Sequence, residues 1–506
     1  MHTPPKDASP GGDEIGTVTV PPPGGALAEP WSLRKLAGLM AVFGPAAIVA
    51  SMAIGAGETI VVVRAGSWAG YHLLWLVLLG CIVKGVFLTY LLGRYTAVSG
   101  EHIGSRLVRL PGPRGWFLIT IVALELLIAP LVWAAISKPC GVLLHYLLVD
   151  LLPTSLAPTV WENLLTTGFL ALACSLGLAL SFQRLEKQQI VICGILVGGT
   201  IIGTLMVCPD FRQALLGSLS FGKIPEQFPE WTPNDARQNP LLTMATTFGY
   251  VGGTVMGYLV YANWVGLHGW GLTGHNNIQS MRKYAATHKI DYLPDDPEQV
   301  RRIRQLITPL RWDVGMGAVV LFIVTGAFMM SGAAVLYPML ARGELAAGFQ
   351  GWSLLTEQAH VWRNIHPGLV WVYYITVIAA LWGTLQAFPE AYTRVTQEFF
   401  QAVWPRRSWN YDTLRAIICV YLFVFTTALV WSGASFDVLI QIASFLVSNL
   451  ALALVMFAAL YLNFQLPPAY RTRLPMLIGG VISAAVLSAF AAVSGWGLAI
   501  KWLGSG

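Results

Sequence analysis

Four consecutive residues, Gly55-Ala56-Gly57-Glu58, interrupt an otherwise apolar stretch at residues 44–66. Each glycine lowers helix propensity by roughly 1 kcal/mol relative to alanine. Glu58 places a carboxylate in the middle of a stretch that is apolar enough to cross a bilayer, a position usually reserved for function. Such a break exposes backbone carbonyl and amide groups that can bind an ion or a small solute. The alternative is a glycine-rich packing contact in which Glu58 bonds to a neighbouring helix.

A second candidate site element lies in the stretch FGYVGGTVMGYLVYANW at residues 248–264. Gly252, Gly253 and Gly257 flank Met256 and permit close helix approach or a second unwound turn. The thioether of Met256 is a soft ligand that favours a transition metal over magnesium or calcium. A methionine that only fills a gap in an apolar core gives the same pattern. Together with the first break, this stretch predicts a site where two interrupted helices meet.

Three further charged residues, Lys84, Glu125 and Lys138, fall inside apolar stretches. Each should face the protein interior and find a partner, because an unpaired charge at that depth is costly. An ion pair of Lys84 with Glu58 or Glu125 is one such arrangement. A buried lysine can also shift its pKa and act as an internal cation or proton carrier. These residues are therefore candidates for charge pairing or for coupling.

The elements that must position these residues are membrane-spanning helices. The chain has 506 residues, of which 55% are hydrophobic and only 11% charged, whereas a soluble domain carries about a quarter charged residues. Apolar runs long enough to cross a bilayer predict about eleven spans, in an all-α polytopic membrane protein. They lie near residues 37–66, 71–93, 116–148, 161–182, 188–208, 241–265, 313–338, 367–400, 412–432, 436–463 and 475–502. Residues 1–30 are rich in proline and glycine and predict a disordered tail, so the transporter domain covers 31–506.

The charges of the connecting segments alternate along the chain. The segments after the second, fourth, sixth, eighth and tenth spans are rich in arginine and lysine, whereas 149–160 has neither and 209–240 is balanced by acids. By the positive-inside rule, the N-terminus is cytoplasmic and the C-terminus extracytoplasmic in a multi-pass protein of the cell membrane. The odd number of spans agrees with that orientation.

The sequence argues against enzymes and ATP-driven pumps. GWGLTG at 269–274 matches a dinucleotide-binding pattern formally, but it follows a membrane span rather than a strand. We find no nucleotide-binding P-loop, no HExxH zinc motif and no nucleophile elbow. The formal charge of +6 sits in short loops, which does not indicate a nucleic-acid partner. We therefore expect a gradient-driven carrier or a channel with no cofactor, no ATP and no nucleic acid, whose partners are its small solute and the lipid bilayer.

Several segments resemble the Nramp divalent-metal transporters. Residues 44–78 resemble the family's first span and its following G-Y-x-L-L-W, and GGTVMGYLVY at 252–261 resembles its sixth span. SFQRLEK at 181–187 and CPDFRQALLGSL at 208–219 resemble the surroundings of its fifth span. This resemblance implies a LeuT-type inverted repeat of five and five helices. The first repeat would cover about 37–208, the second about 241–463, and an additional eleventh helix about 475–502.

The departures from the family pattern lie at its centre. The family's D-P-G-N reads Gly55-Ala56-Gly57-Glu58 here, so a glycine replaces the metal-binding aspartate. The family's M-P-H reads Met256-Gly257-Tyr258, which keeps the methionine and loses the histidine. The positions that donate backbone carbonyls in the family correspond to Met52 and Gly253. Acids that family members carry in span three are apolar here, among them Val132 and Ala135.

The leading hypothesis is an Nramp-like secondary transporter of a divalent metal cation. Glu58 and Met256 would be the side-chain ligands, and Met52 and Gly253 would supply carbonyl oxygens. The rival is a carrier of an organic solute, an amino acid or amine, on the same fold. There the amides at the Gly55–Gly57 break would hold a carboxylate, Glu58 would bind the amine, and Lys84 would replace a coupling cation. A non-transporting receptor is a third hypothesis, which charges inside the spans disfavour.

Overall fold

The computed structural model describes residues 16–345 and 351–503, and within them it is all helical with no strand. The α-helices of the first half are α1 (Leu33–Met40), α2 (Pro45–Ala53), α3 (Val63–Ala69), α4 (Leu74–Gly80), α5 (Thr89–Ser99), α6 (Ile103–Leu107), α7 (Trp116–Leu148), α8 (Pro158–Ala179), α9 (Phe182–Val207) and α10 (Phe211–Leu219). Those of the second half are α11 (Asn234–Gln238), α12 (Pro240–Tyr250), α13 (Val255–Leu267), α14 (Ile278–Ala285), α15 (Pro297–Leu306), α16 (Thr308–Ser331), α17 (Tyr337–Ala341), α18 (Leu354–Ile365), α19 (Leu369–Val403), α20 (Tyr411–Trp431), α21 (Phe436–Ala443), α22 (Ala451–Phe464) and α23 (Leu474–Leu503).

Wider π-helical turns join some of these helices into longer spans. They occupy Gly57–Val62, Cys81–Leu88, Gly332–Leu336 and Ser444–Leu450. Short 3₁₀ turns occupy Gly25–Leu27, Gly70–Leu73, Val149–Leu151, Gly271–Gly274, Gly351–Ser353 and Pro468–Tyr470. π-helical turns are often found at functional sites. The turn at Gly57–Val62 contains Glu58, and the turn at Cys81–Leu88 contains Lys84.

Nine helices within the described ranges are long and apolar enough to cross a membrane, or ten if α1 and α2, which meet at 54°, are counted as one span. This count differs from the eleven spans predicted from the sequence because it requires continuous helices. The predicted span 241–265 consists of α12 and α13, with 11 and 13 residues, and each is too short to cross alone. The helical membrane class is therefore confirmed. The break in 241–265 lowers the count by one, and the break in the first span, whose second half is continuous with the second span, lowers it by one more.

The helical run Gly57–Ser99 contains the end of the predicted span 37–66 and the whole of the predicted span 71–93. Its 43 residues would extend about 65 Å as one helix, roughly twice the thickness of a bilayer core. The chain turns at Gly70, whose φ of +58° lies in the left-handed region that glycine adopts readily. The first span therefore ends at Ala69, and the second begins immediately after it.

The spans differ in how deeply they lie in the bundle. In the most apolar 18-residue segment of α19, 67% of the residues are buried, and the same share is buried in the run Phe436–Phe464. The corresponding shares for α8, α9 and α23 are 28%, 22% and 28%. The latter helices carry many exposed leucine, isoleucine and valine side chains. We therefore place α8, α9 and α23 at the lipid-facing periphery, around a core that includes α2, α7, α13 and α19.

Part of the N-terminal segment is ordered, which corrects the prediction that 1–30 is a disordered tail. Val18 and Val20 are buried. Val18 N–H donates to the Tyr292 carbonyl (2.9 Å), and Val20 N–H donates to Gln299 Oε1 (2.9 Å). The prediction used the composition of all 30 residues, and this average does not show that Val18 and Val20 pack on the 266–312 connection. Residues 1–15 lie outside the described residues.

Candidate functional site

The first predicted break exists where the glycines indicated it. Helix α2 ends at Ala53, and Ile54 has the non-helical angles φ −80° and ψ +80°. A Cβ on Gly55 would lie 2.7 Å from Thr384 Oγ1, and one on Gly57 would lie 2.8 Å from the Tyr250 ring. Glycine at these two positions therefore lets α19 and α12 approach the break closely. The interruption lies at Ile54–Gly55, at the start of the predicted stretch 55–58, and Gly57 and Glu58 already belong to the π-helical turn that follows.

The second break lies at Val251–Thr254, between α12 and α13. Gly252 and Gly253 have φ of +94° and +76°, values that L side chains rarely adopt. Gly257 lies inside α13, so it is not part of the unwound turn that the sequence allowed there. Gly252 and Gly253 therefore provide the left-handed backbone angles of this break. Gly257 lies in a regular helix because tertiary packing outweighs the low helix propensity of glycine.

The two breaks face one another across a cavity of about 30 Å³. A Cβ on Gly253 would lie 3.2 Å from the Cα of Ala53. The cavity is lined by Met52, Ala53, Gly55, Ala56, Gly57, Val132, Ile136, Tyr250, Gly253, Thr254, Thr384, Phe388, Ala443 and Ser448. Its volume is enough for about one water molecule. Of the predicted site residues, Met52, Gly55, Ala56, Gly57 and Gly253 meet here.

Glu58 lies at the start of the second half-helix but does not line this cavity. Its side chain is fully buried. Oε2 accepts a hydrogen bond from Gly55 N–H (3.1 Å), and Oε1 accepts one from Gly252 N–H (3.4 Å). These two amides belong to different breaks. Glu58 therefore links the two interrupted helices by satisfying one backbone donor in each.

Lys84 makes no direct ion pair with Glu58 or Glu125, which corrects the pairing predicted from the sequence. Its Nζ donates to the carbonyls of Phe248 (2.7 Å), Gly249 (2.9 Å) and Val251 (2.9 Å). These carbonyls end α12, where the helix dipole is negative and four carbonyls lack an intrahelical partner. The ammonium group therefore caps the first half of span six.

One peptide unit connects the two buried charges. The Val251 carbonyl accepts from Lys84, and the amide N–H of the same peptide, on Gly252, donates to Glu58. The positive and negative groups thus polarise this peptide in the same direction, which strengthens both hydrogen bonds. Sequence reasoning missed this arrangement because backbone groups carry no residue-type signal.

The remaining predicted charges lie in two places. Glu125 Oε1 accepts from Thr254 Oγ1 (2.6 Å) and Tyr392 Oη (3.2 Å), which places it beside the second break. Its Oε2 is buried and has no partner among the described residues. Lys138 forms an ion pair with Glu162 (3.0 Å), so its predicted interior partner exists. Glu162 belongs to α8, away from both breaks.

The predicted site residues of α13 pack behind the cavity. Met256 is fully buried, Tyr258 is 1% exposed, and neither lines the central cavity. Tyr258 Oη donates to the Gly252 carbonyl. Tyr258 therefore supports the second break from the helix that follows it, whereas Met256 is the buried second residue of that helix. Among the described residues, no group of three or more His, Cys, Asp or Glu side chains has a geometry that would hold a metal ion.

Asp313 is a structural site residue that sequence reasoning missed. Its two carboxylate oxygens accept from Gly44 N–H and Ala46 N–H, both at 2.9 Å. Tyr261 Oη donates to the same carboxylate (2.9 Å). Asp313 therefore caps the N-terminus of α2 from a distant helix, in the position that the helix dipole favours for an anion. A charge at the first residue of the predicted span 313–338 is the signal that pointed to it.

A larger cavity of about 570 Å³ lies beside the end of the first span, where Val61, Arg64 and Trp68 line it. Arg64 lines it and forms an ion pair with Asp437 (2.6 Å). Val61 lines the large cavity and Gly57 the small one, about one helical turn apart. Tyr250 Oη is buried and unpartnered among the described residues. Tyr250 lines the small cavity and does not line the large one.

The side away from this large cavity is closed by polar contacts. Glu101 is buried and pairs with Arg106 (3.1 Å) and Arg109 (3.3 Å). Burial raises the pKa of Glu101, an effect that the two guanidinium groups only partly offset. Arg106 and Arg109 also donate to the His288 carbonyl. The 266–312 connection is thereby fixed to the end of the second span.

Comparison with known proteins identifies relatives over nearly the whole chain. The family model described as "Natural resistance-associated macrophage protein-like", Nramp, matches residues 46–496. A manganese transporter of Eremococcus coleocola superposes in a histidine-to-alanine mutant with TM-score 0.65 and 14% identity, covering 97% of this chain and 91% of that one. A glutamate-to-glutamine mutant of the same transporter gives TM-score 0.63 and 15% identity, covering 96% and 91%.

A more distant fold relative is a nucleobase-cation-symport-1 family transporter in a closed conformation. Its TM-score is 0.51 at 14% identity, and the match covers 90% of this chain and 92% of that one. No curated protein sequence matches the chain. At these identities the solved structures establish a shared fold, whereas the family match rests on the sequence itself.

Proposed function

The chain belongs to the Nramp family, and we propose that it moves a divalent metal cation across the membrane by alternating access at its two helix breaks. The observation that carries this proposal is the cavity of about 30 Å³ between Gly55–Gly57 and Gly253. A space for about one water molecule suits a dehydrated ion and is too small for an amino acid. The size of the cavity and the family membership both favour metal over the organic solute.

The cation ligands remain those implied by the family pattern. Met52 and Gly253 line the cavity, which supports carbonyl coordination by these two residues. Glu58 supplies negative charge at the same break, although both of its oxygens accept backbone amides in this conformation. Met256 follows the second break within one helical turn. We propose that cation entry exchanges the Glu58 amide contacts for metal coordination and brings the Met256 thioether towards the metal.

We also propose the inverted-repeat arrangement of five and five helices with an additional eleventh. The two broken spans are the first helix of each proposed repeat, at 37–66 and 241–265. A break at the same place in both halves is typical of transporters built from such repeats. The third, fourth and fifth helices of each proposed repeat, with the broken span counted as the first, are α7, α8 and α9 in the first repeat. They are α19, α20 and the run Phe436–Phe464 in the second.

Uptake into liposomes tests the function. We expect the purified chain to accumulate Mn²⁺ or Cd²⁺, and Met256→Ala to reduce uptake of Cd²⁺ at least about tenfold while changing Mg²⁺ much less, because thioethers prefer soft metals. Met244→Ala is the matched control, since Met244 is a buried methionine of α12 away from the cavity.

Two outcomes would contradict the proposal. Equal losses for Met244→Ala and Met256→Ala would show that the thioether acts only through packing. Uptake of an amine or amino acid, with no uptake of any divalent cation, would replace the metal carrier by its rival. In that case Met256→Ala would change transport only through packing.

The orientation in the membrane is a separate prediction. The large cavity is lined only by segments at the end of the bundle that the charge rule places outside. A second cavity is lined by residues within 90–94, 304–311 and 471–476, at the end that the charge rule assigns to the cytoplasm. In a Cys208→Ser background, which removes the exposed native thiol, an impermeant maleimide should label Ser155→Cys in intact cells. It should label Asp295→Cys only after the membrane is permeabilised. The reverse pattern would overturn the orientation.

A further inference from the structure

A cavity of about 270 Å³ that no part of the transport route uses lies at the edge of the bundle. It is formed by the end of the second span, the helices α15 and α16, and the segment that leads into α23. Its lining contains five arginines and no acidic residue: Arg94, Arg304, Arg311, Arg471 and Arg473, with Tyr90, Ile307, Thr472 and Met476. The charge rule places this end of the bundle in the cytoplasm.

The arginines of this basic cavity lack acidic partners. Among the ion pairs of residues 16–345 and 351–503, none includes any of the five. Arg94 is only 8% exposed. It donates to Asn463 Oδ1 (2.7 Å) and to the Tyr470 carbonyl, both neutral groups. A buried guanidinium without a counter-charge is costly, so the cavity is incomplete without an anion.

Two acids on a neighbouring segment do not neutralise these arginines. Asp295 and Asp296 follow Pro294, whose carbonyl accepts from Tyr470 Oη. Asp296 caps α15 by accepting from Gln299 N–H (3.0 Å). Neither carboxylate lines the cavity. Arg304 and Arg471 likewise donate to the carbonyls of Ala469 (3.4 Å) and Leu466 (3.2 Å), which hold their side chains in place without neutralising them.

The chemistry of the lining selects a phosphate. Guanidinium groups bind phosphate oxygens in a bidentate manner, and basic pockets between helices on the cytoplasmic side are suited to phospholipid headgroups. Apolar surface continues from the cavity along α23, where Leu474 is 66% and Ile478 49% exposed. The positive-inside rule alone requires basic residues in loops. It does not require a cavity that holds one arginine buried.

We propose that this basic cavity binds the phosphate of an anionic phospholipid from the cytoplasmic leaflet. The headgroup phosphate lies among Arg94, Arg311 and Arg473, and the acyl chains lie on the exposed apolar face at the start of α23. The proposal is independent of the transported substrate. It is tested by lipid binding rather than by uptake.

The experiment compares two double variants of the full chain by native mass spectrometry with phosphatidylglycerol, with phosphatidylcholine and with inorganic phosphate. Arg311→Gln with Arg473→Gln removes two exposed arginines of the cavity. Each contributes about fivefold to anionic-lipid affinity, so the pair should weaken phosphatidylglycerol binding about 25-fold. Arg406→Gln with Arg407→Gln, an exposed pair in a loop assigned to the same side, removes equal charge and should leave the affinity nearly unchanged.

Several results would overturn the proposal. Equal weakening of phosphatidylglycerol binding by the two double variants would show that general surface charge, and not the cavity, attracts the lipid. Equal affinity of the native chain for phosphatidylcholine would remove the requirement for an anion. Inorganic phosphate that competes at the concentration of the lipid would assign the cavity to a free phosphate instead. If the double variant fails to fold, the single change Arg473→Gln, with an expected fivefold effect, decides between the same outcomes.

Discussion

Replacing Glu58 by glutamine is expected to lower the free energy of unfolding by about 1–3 kcal/mol, because one buried backbone N–H loses its acceptor. A glutamine side chain keeps one oxygen, so the N–H of either Gly55 or Gly252 loses its acceptor. Lys84 then keeps its three carbonyls but loses the negative charge on the other side of the Val251–Gly252 peptide. Lys84→Met should destabilise to a similar extent.

The double variant Glu58→Gln with Lys84→Met is the sharper test. Removing both charges leaves no unpaired ion, so its loss of stability should be smaller than the sum of the single losses by about 2 kcal/mol. The measurement is the unfolding transition of each purified variant in detergent. Arg302→Met is the control, since Arg302 pairs with Glu298 at the surface (2.5 Å), and its loss should cost less than about 1 kcal/mol. Strictly additive losses would show that the two charges do not communicate through the shared peptide.

The same Glu58→Gln variant bears on transport. If the carboxylate supplies the charge for a cation, the double variant should still take up no Mn²⁺, although its loss of stability is less than additive. Stability and uptake therefore separate the two roles of Glu58, since Lys84→Met can offset part of the loss of stability and none of the loss of uptake. Normal uptake by the double variant would place the cation site elsewhere in the bundle.

Asp313→Asn should lower the free energy of unfolding by about 2–4 kcal/mol. The carboxylate accepts two backbone N–H groups of the α2 N-terminus and the Tyr261 hydroxyl. Asparagine keeps one acceptor oxygen and turns an NH₂ group towards the remaining donors, so at least one buried donor loses its partner. The favourable interaction of the negative charge with the helix dipole is lost as well.

An exposed aspartate provides the matched control for this change. Asp210 caps α10 by accepting from Gln213 N–H (3.0 Å) at the protein surface. Asparagine caps helices as well as aspartate does, so Asp210→Asn should change stability by less than about 0.5 kcal/mol. Thermal or denaturant unfolding of the two variants gives the comparison. Similar small changes for both would show that Asp313 is not needed to hold the half-helix.

These charged residues share one structural role. Asp313 holds the beginning of α2, Glu58 links the two breaks, and Lys84 holds the end of α12. Each bonds backbone groups that an interrupted helix leaves without partners. A rocking motion of one half-helix must either carry these contacts with it or exchange them, which makes them the contacts on which alternating access depends.

Local sequence determined the class of protein, most span positions and the first break. Apolar length sets where a chain can cross a bilayer, and this is a property of consecutive residues. The predicted span 116–148 coincides with α7. Gly55 disfavours helix through its intrinsic propensity, and for that reason the break three residues before Glu58 was predictable, although Gly57 itself lies in a π-helical turn. The family resemblance used the same local segments.

Only the tertiary structure decided which groups the buried charges meet. Lys84 bonds carbonyls more than 160 positions away, and Asp313 bonds amides more than 260 positions away. Those partners are backbone atoms, which every residue type carries, so no residue pattern marks them. The small cavity between the breaks, the large cavity and the basic cavity are likewise spaces between segments distant in sequence. Their shapes follow from helix packing, which a one-dimensional pattern of apolar and polar residues does not contain.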